Sequence, residues 1–84
     1  MRFSEIEQKE VINTYDGCKL GFVYDIDIDE KTGQVKKFII SKKCKVLGVF
    51  GKEQEYHIKW CDVKCIGDDL ILIYANTRDI LVEF

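Results

Sequence analysis

The stretch LGFVYDIDIDEKTGQVKKFIIS, residues 20–41, contains two runs of β-branched and aromatic residues separated by a turn. Residues 20–29 and 34–41 are rich in the residue types that favour extended strands. Between them, Lys31-Thr32-Gly33 supplies a turn whose glycine accepts backbone angles that most residues avoid. The stretch therefore predicts an antiparallel β-hairpin.

The rest of the chain repeats this pattern of short strands and turns. Further turns are expected at Gly17, at Gly48 and Gly51, and at Gly67. Strands that recur about every ten residues, without a helical segment long enough to cover a sheet, predict a small all-β barrel. Six or seven strands are expected, at residues 10–15, 20–29, 34–41, 46–50, 55–60, 63–66 and 70–74.

Apolar residues on these strands predict the core. Successive side chains of a strand point to opposite faces, so the apolar set of each strand belongs on the inner face. The predicted core consists of Val11, Val23, Ile26, Ile28, Phe38, Ile40, Ile58, Trp60, Val63, Ile66, Ile71 and Ile73.

Both ends of the chain are expected to join this barrel. One helical turn is predicted at the N-terminus, with Ser4 as its cap, Glu7 completing a capping box, and Phe3 and Ile6 turned to the core. The barrel is expected to occupy residues 1–74. The tail, residues 75–84, ends in apolar residues and could add an edge strand to its own sheet. Alternatively, it could add that strand to the sheet of a second copy and so form a homodimer.

Composition limits the class of protein. An 84-residue chain with 46% hydrophobic residues has room for one folded domain. Its net charge of −2 gives no general attraction to nucleic acid or to an anionic membrane. No segment is apolar enough for a signal peptide or a membrane span, so a cytoplasmic protein with reduced cysteines is expected.

Several segments carry a resemblance to a known family. The most specific are Phe50-Gly51-Lys52-Glu53-Gln54-Glu55-Tyr56, and Trp60 followed six residues later by Ile66-Gly67-Asp68-Asp69. With the segments at 2–6, 9–13, 16–21, 25–29 and 32–35, they make the chain similar to the PRC-barrel superfamily over residues 1–74. Within it, the chain resembles the YlmC/YmxH group of small proteins from spore-forming bacteria, which often has proline where this chain has Lys59.

This resemblance implies a six-stranded barrel that works as a docking module without catalysis or a cofactor, and a link to sporulation. The residues agree, because His57 is the only histidine and no nucleophile and base are paired around it in the sequence. We therefore predict a protein-interaction module that is not an enzyme.

Two groups of side chains suggest a metal. Asp25, Asp27 and Asp29 share one face of a strand and could form a cation site, but Glu30 stands where an EF-hand loop needs glycine. The favoured interpretation is that these aspartates pair with Lys36 and Lys37 across the hairpin. The cysteines form the other group. Zinc or redox chemistry on Cys18, Cys44, Cys61 and Cys65, with His57, remains an alternative function.

Partner-binding residues are predicted in three places. Phe50, beside Gly51 in a predicted loop, and Tyr56 are candidate aromatic anchors, and Ile80 and Val82 are candidates in the tail. Seven lysines and no acidic residue occur within residues 31–52, and Lys42, Lys43 and Lys45 form the densest part. These lysines leave an RNA or ribosome-assembly role as a second alternative, since the superfamily includes a domain of the ribosome maturation factor RimM.

Overall fold

The computed structural model of this chain describes residues 1–46 and 49–83, with the backbone alone for 42–46 and 49–53. It contains seven strands, two short α-helices and one turn of 3₁₀ helix. In chain order these are α1 (Phe3–Glu7), β1 (Glu10–Asn13), β2 (Cys18–Ile28), β3 (Val35–Val46), β4 (Val49–Lys59), the 3₁₀ helix (Trp60–Asp62), β5 (Val63–Ile66), β6 (Leu70–Ile73), α2 (Thr77–Ile80) and β7 (Leu81–Glu83).

The seven strands form one sheet in the order β5-β6-β1-β2-β3-β4-β7, which confirms the all-β prediction. The described residues form seven strands, within the six or seven expected from the turns and one more than the resemblance implies, and no pairing among them joins β5 to β7 to close the barrel. The separate strand predicted at 46–50 is wrong. Val46 ends β3 and Val49 begins β4, and Gly51 lies within β4 rather than in a turn.

Strand β2 is shared between two partners. Its first part, as far as Phe22, pairs with β1, where Gly21 faces Val11, and its second part, from Val23 opposite Ile40, pairs with β3. Gly21 has a φ of +115°, which a side chain would strain. Strand β2 thus joins one half of the sheet, β5-β6-β1, to the other half, β3-β4-β7, and both halves contribute buried residues to the core.

The core lies between these halves. Its buried side chains are Val11, Val23, Phe38, Ile40, Tyr56, Ile58, Ile71, Ile73 and Ile80, with Ile26, Val63 and Ile66 packed against them. Ile28 and Trp60, which were predicted in or near the core, are 47% and 49% exposed, and Trp60 contacts the core at Phe38. A register shift between Asp27 and Ile28 breaks the alternation there, and the strand ends before Trp60.

At the N-terminus, α1 has the predicted place but not the predicted cap. It begins at Phe3, so Arg2 holds the capping position and makes no side-chain cap bond, while Ser4 lies inside the helix. Phe3 and Ile6 pack against the core, as predicted.

Just after α1, the almost fully buried Lys9 ties two distant segments together. Its Nζ donates to the carbonyl oxygens of Gly67, at 2.5 Å, and Asp68, at 2.7 Å. The charged hydrogen bonds hold the β5–β6 turn against the start of β1.

The tail contributes a strand to the sheet of its own chain. β7 is an edge strand of its own sheet, antiparallel to β4, with Tyr56 opposite Leu81 and Gln54 opposite Glu83. Ile80, at the end of α2, is 4% exposed and belongs to the core.

Candidate interaction surfaces

An apolar groove is present where α1 meets the sheet. It encloses about 400 Å³ and is lined by apolar side chains of α1, β2, β3 and β5, among them Phe3, Ile6, Ile26, Val35 and Ile66. We call this cavity the Trp60 groove, because the Trp60 indole forms one wall of it.

The core fixes the position of the Trp60 ring. Trp60 meets the buried Phe38 edge to face, with ring centroids 5.6 Å apart and planes at 85°. One side of the indole is therefore held by the core while about half of it, 49%, stays exposed. A large aromatic held in this way loses little conformational entropy on binding, which is typical of an anchor in a protein interface.

A chain of polar side chains crosses the opposite, outer face of the sheet. The Tyr24 hydroxyl on β2 donates to Glu55 on β4, and the other oxygen of Glu55 lies 2.9 Å from His57 Nε2. His57 Nδ1 is 3.0 Å from the Nζ of Lys37, which also lies 3.8 Å from Asp27. We call these five residues the outer-face network.

The partners of His57 indicate its tautomer. An ammonium group only donates, so Lys37 requires Nδ1 to accept, which leaves the ring proton on Nε2 for donation to Glu55. The hydrogen bond from Tyr24, followed by the one from His57, holds the pKa of Glu55 below its ordinary value. Both ring nitrogens are thus occupied within the sheet.

The hydrogen bonds of His57 also decide whether it can act as the base for a cysteine nucleophile. His57 and Cys61 line a second cavity of about 380 Å³, in which Tyr15 and Tyr74 meet edge to face. The Cys61 thiol approaches the Asp62 carboxylate, at 3.9 Å. Since Lys37 and Glu55 engage both nitrogens of His57, the imidazole has no free nitrogen to accept a thiol proton.

The predicted charge pairing across the first hairpin is found for one pair. Asp27 lies opposite Lys37 in the register and forms an ion pair with it, whereas no ion pair of Lys36 occurs among the described residues. The other two aspartates cap the backbone instead. Asp25 accepts from the N–H of Ile26, and Asp29 accepts from the N–H of Lys31 in the turn.

The cysteines do not converge in the part of the chain that the structure describes. Cys18, Cys61 and Cys65 are free and exposed, and the Cys44 side chain lies outside the described residues. Within 1–46 and 49–83, no three His, Cys, Asp or Glu side chains come together around a possible metal position. The pKa of Cys18 is raised, chiefly by the negative charge of Asp16.

The predicted partner residues occupy very different environments. Tyr56 and Ile80 are buried in the core, where a second chain does not reach them, and Val82 is half-buried. Phe50 belongs to β4 rather than to a loop. Its side chain lies outside the described residues, as do those of Lys42, Lys43 and Lys45.

Sequence reasoning missed both the Trp60 groove and the outer-face network. Glu55 and His57 are two residues apart on one strand, which shows that they share a face. Their partners on β2 and β3 depend on register shifts that no local pattern reveals. Among the described residues no helix is long and apolar enough to cross a membrane.

Comparison with known proteins identifies a family and several relatives. The model of the family described as PRC-barrel domain matches residues 1–79. A Bacillus subtilis protein named "Probable sporulation protein YlmC" is 46% identical over 70 residues, which cover 83% of this chain and 86% of the relative. A Clostridium acetobutylicum protein is 37% identical over 71 residues, covering 84% and 80%. YmxH of Bacillus subtilis is 28% identical over 75 residues, covering 87% of each chain.

Proposed function

The chain belongs to the PRC-barrel domain family, and from that premise we propose that it is a non-catalytic protein-interaction module that serves sporulation. The sporulation link is carried over from the name of the Bacillus subtilis relative. The interaction role is supported by the Trp60 groove, where a half-exposed aromatic stands beside an apolar cavity. We propose that one side chain or short segment of a protein partner packs against this indole.

The groove is suited to a protein partner because its apolar wall is already assembled. Phe3, Ile6 and Val35 contact the core on one side and line the groove on the other, so binding need not reorganise them. Most of the energy of such an interface comes from a few central aromatic or apolar residues. The outer-face network would act as a second, polar surface for the same or another partner.

The cellular location and the oligomeric state of the module are also part of what we propose. We propose that the module works in the cytoplasm, where its exposed thiols at Cys18, Cys61 and Cys65 stay reduced. We also propose that it forms a homodimer, through a contact that leaves β7 on its own sheet. Sedimentation across a concentration series would show a single monomeric species if the dimer does not exist.

The experiment uses Trp60 both as the target and as the probe. Wild type and the Trp60→Ala and Phe22→Ala variants are immobilised and exposed to extract of the native cell. Phe22 is 51% exposed and does not line the Trp60 groove, so it controls for the loss of an exposed aromatic. A partner should bind to wild type and to Phe22→Ala but not to Trp60→Ala.

The partner is then purified and titrated into the wild type. Trp60 is the only tryptophan of the chain. If the partner contains no tryptophan, binding at the groove should shift the tryptophan emission of the complex to shorter wavelength. Truncation of an anchor costs about 2 kcal/mol or more, roughly a thirtyfold loss of affinity. Trp60→Phe, which keeps the contact with Phe38, separates loss of folding from loss of binding. Equal affinity of Trp60→Ala and wild type would refute the groove as the binding site.

A further inference from the structure

Strands β3 and β4 continue past the rest of the sheet. β2 pairs with β3 only as far as Ile40, and β7 pairs with β4 only over residues 54–56. For residues 41–46 and 49–53, the described pairings join these two segments to each other and to no other strand. We call these two segments the arm.

The arm carries a charge opposite to that of the remaining chain. Residues 41–53 contain four lysines and one glutamate, a net charge of +3, whereas the whole chain carries −2. The rest of the chain therefore carries −5. The lysines are Lys42, Lys43, Lys45 and Lys52.

The structure separates these lysines from the other lysines of the basic stretch. Lys37 is engaged by Asp27 and His57 within the sheet. Lys31 and Lys36 belong to the β2–β3 turn and the start of β3, at the opposite end of that strand. Four of the seven lysines within residues 31–52 thus lie on the arm.

The far end of the arm is apolar in sequence. Its last paired positions are Lys45 opposite Phe50 and Val46 opposite Val49. A two-stranded ribbon without further strands is only marginally stable in water. Contact with an apolar phase would stabilise the valines and the phenylalanine at its end. A negatively charged surface would stabilise the lysines beside them.

We propose that the arm docks on the surface of an anionic lipid bilayer. Apolar residues at the headgroup level together with several lysines are the combination that binds such a surface. Lysine is depleted at the centres of protein interfaces. RNA recognition favours arginine and aromatic stacking platforms, whereas the arm contains no arginine and a single aromatic.

The charge distribution also orients the molecule at the membrane. The arm is attracted to anionic lipid while the rest of the chain, at −5, is repelled. Val35 lines the Trp60 groove and Val46 ends the arm, which places them eleven residues apart on one strand, or about 36 Å. Docking through the arm therefore leaves the groove in water, and the proposal does not depend on what the groove binds.

The test measures sedimentation of the full chain with vesicles of phosphatidylcholine containing phosphatidylglycerol, and with vesicles of phosphatidylcholine alone. Wild type should sediment with the anionic vesicles only, and the bound fraction should fall as salt rises. Changing Lys42, Lys43 and Lys45 to glutamine should weaken binding about a hundredfold, at roughly fivefold for each lysine. Phe50→Ser should weaken it without changing the salt dependence.

A matched control changes the same charge elsewhere. Lys19, Lys31 and Lys64 are exposed lysines outside the arm, and their triple change to glutamine should leave vesicle binding close to that of wild type. Trp60→Ala should also bind vesicles normally. No binding to anionic vesicles at low salt, or equal weakening by both triple variants, would overturn the proposal. So would arm-dependent binding to RNA by a chain that does not bind vesicles.

Discussion

The Asn13 side chain pairs with the backbone of Ala75 through both of its polar groups. Its Nδ2 donates to the carbonyl oxygen of Ala75 at 2.7 Å, and its Oδ1 accepts from the Ala75 N–H at 3.3 Å. The same amide contacts the Tyr15 N–H and the Thr77 hydroxyl. Asn13 is completely buried, so these bonds connect the end of β1 to the segment that leads into α2 without access of water.

Replacing Asn13 with leucine should destabilise the fold. The substitution leaves the buried polar groups of Ala75 and the N–H of Tyr15 without partners, at a cost of about 2–4 kcal/mol. Urea unfolding followed by circular dichroism measures this loss. Asn13→Asp replaces the Nδ2 donor with a buried carboxylate oxygen that faces the Ala75 carbonyl oxygen, so it should destabilise the fold as well. Equal stability of wild type and Asn13→Leu would contradict the assigned role.

Truncation after Tyr74 should prevent cooperative folding. It removes Ile80 from the core, β7 from the edge of β4, and the Ala75 groups that satisfy Asn13. Loss of one buried isoleucine side chain costs about 2–5 kcal/mol, a large share of what a domain of this size has. Thermal melting of a chain ending at Ile80, which lacks only β7 and Phe84, is the milder comparison. A sharp, unshifted transition in the chain ending at Tyr74 would show that the tail is dispensable.

Removing the Tyr24 hydroxyl should raise the pKa of Glu55. Because the folded pKa lies below the ordinary 4.5, the contacts of Glu55 stabilise the fold above that pH and are lost as the pH falls through the folded value. Tyr24→Phe removes the larger cause, and carbon NMR of the Glu55 carboxyl should show the rise. The stability difference between wild type and Tyr24→Phe should shrink in acid. Tyr74→Phe, which removes a hydroxyl that does not contribute to the lowered pKa of Glu55, should leave the titration unaltered.

Asp16 should suppress the reactivity of Cys18. Its charge and its hydrogen bond raise the pKa of this thiol above the ordinary 9.0, so less thiolate is present near neutral pH. Asp16→Asn keeps an oxygen for the Thr77 hydroxyl and should speed labelling of Cys18 by a disulfide reagent severalfold. Mass spectrometry of the labelled peptides reports each cysteine separately. Asp62→Asn, beside Cys61, is the control and should not change the rate at Cys18.

The sequence predicts the first hairpin because strands and turn are both local. The residues at 20–41 contain their own turn signal, and the observed pairing of Ile26 with Phe38 follows from it. The second hairpin is harder to predict. Gly48 and Gly51 carry equal turn signals, yet Gly51 continues β4, between Phe50 and Glu53, which pair with Lys45 and Lys43 of β3. A glycine permits a turn but does not require one.

The candidate sites depend even more on distant contacts. Trp60 satisfies the apolar pattern of its strand, but the 3₁₀ turn that follows leaves half of it in water against Phe38. Likewise, nothing local connects Tyr24 with Glu55, which are 31 residues apart. The side chains that meet across a sheet are set by register, and register shifts move every later pairing by one residue.

Local order in the amino acids was sufficient to predict an all-β chain and most of its core, since residue type and period two act over a few neighbouring positions. The family was indicated by the resemblance of particular segments. The position of the tail, the groove at Trp60 and the network around His57 arise from folding in three dimensions. They require β2 to change partner from β1 to β3, and the register shifts in its pairings, to bring segments together that are far apart in the chain. Such contacts form only when the whole sheet has folded around its core.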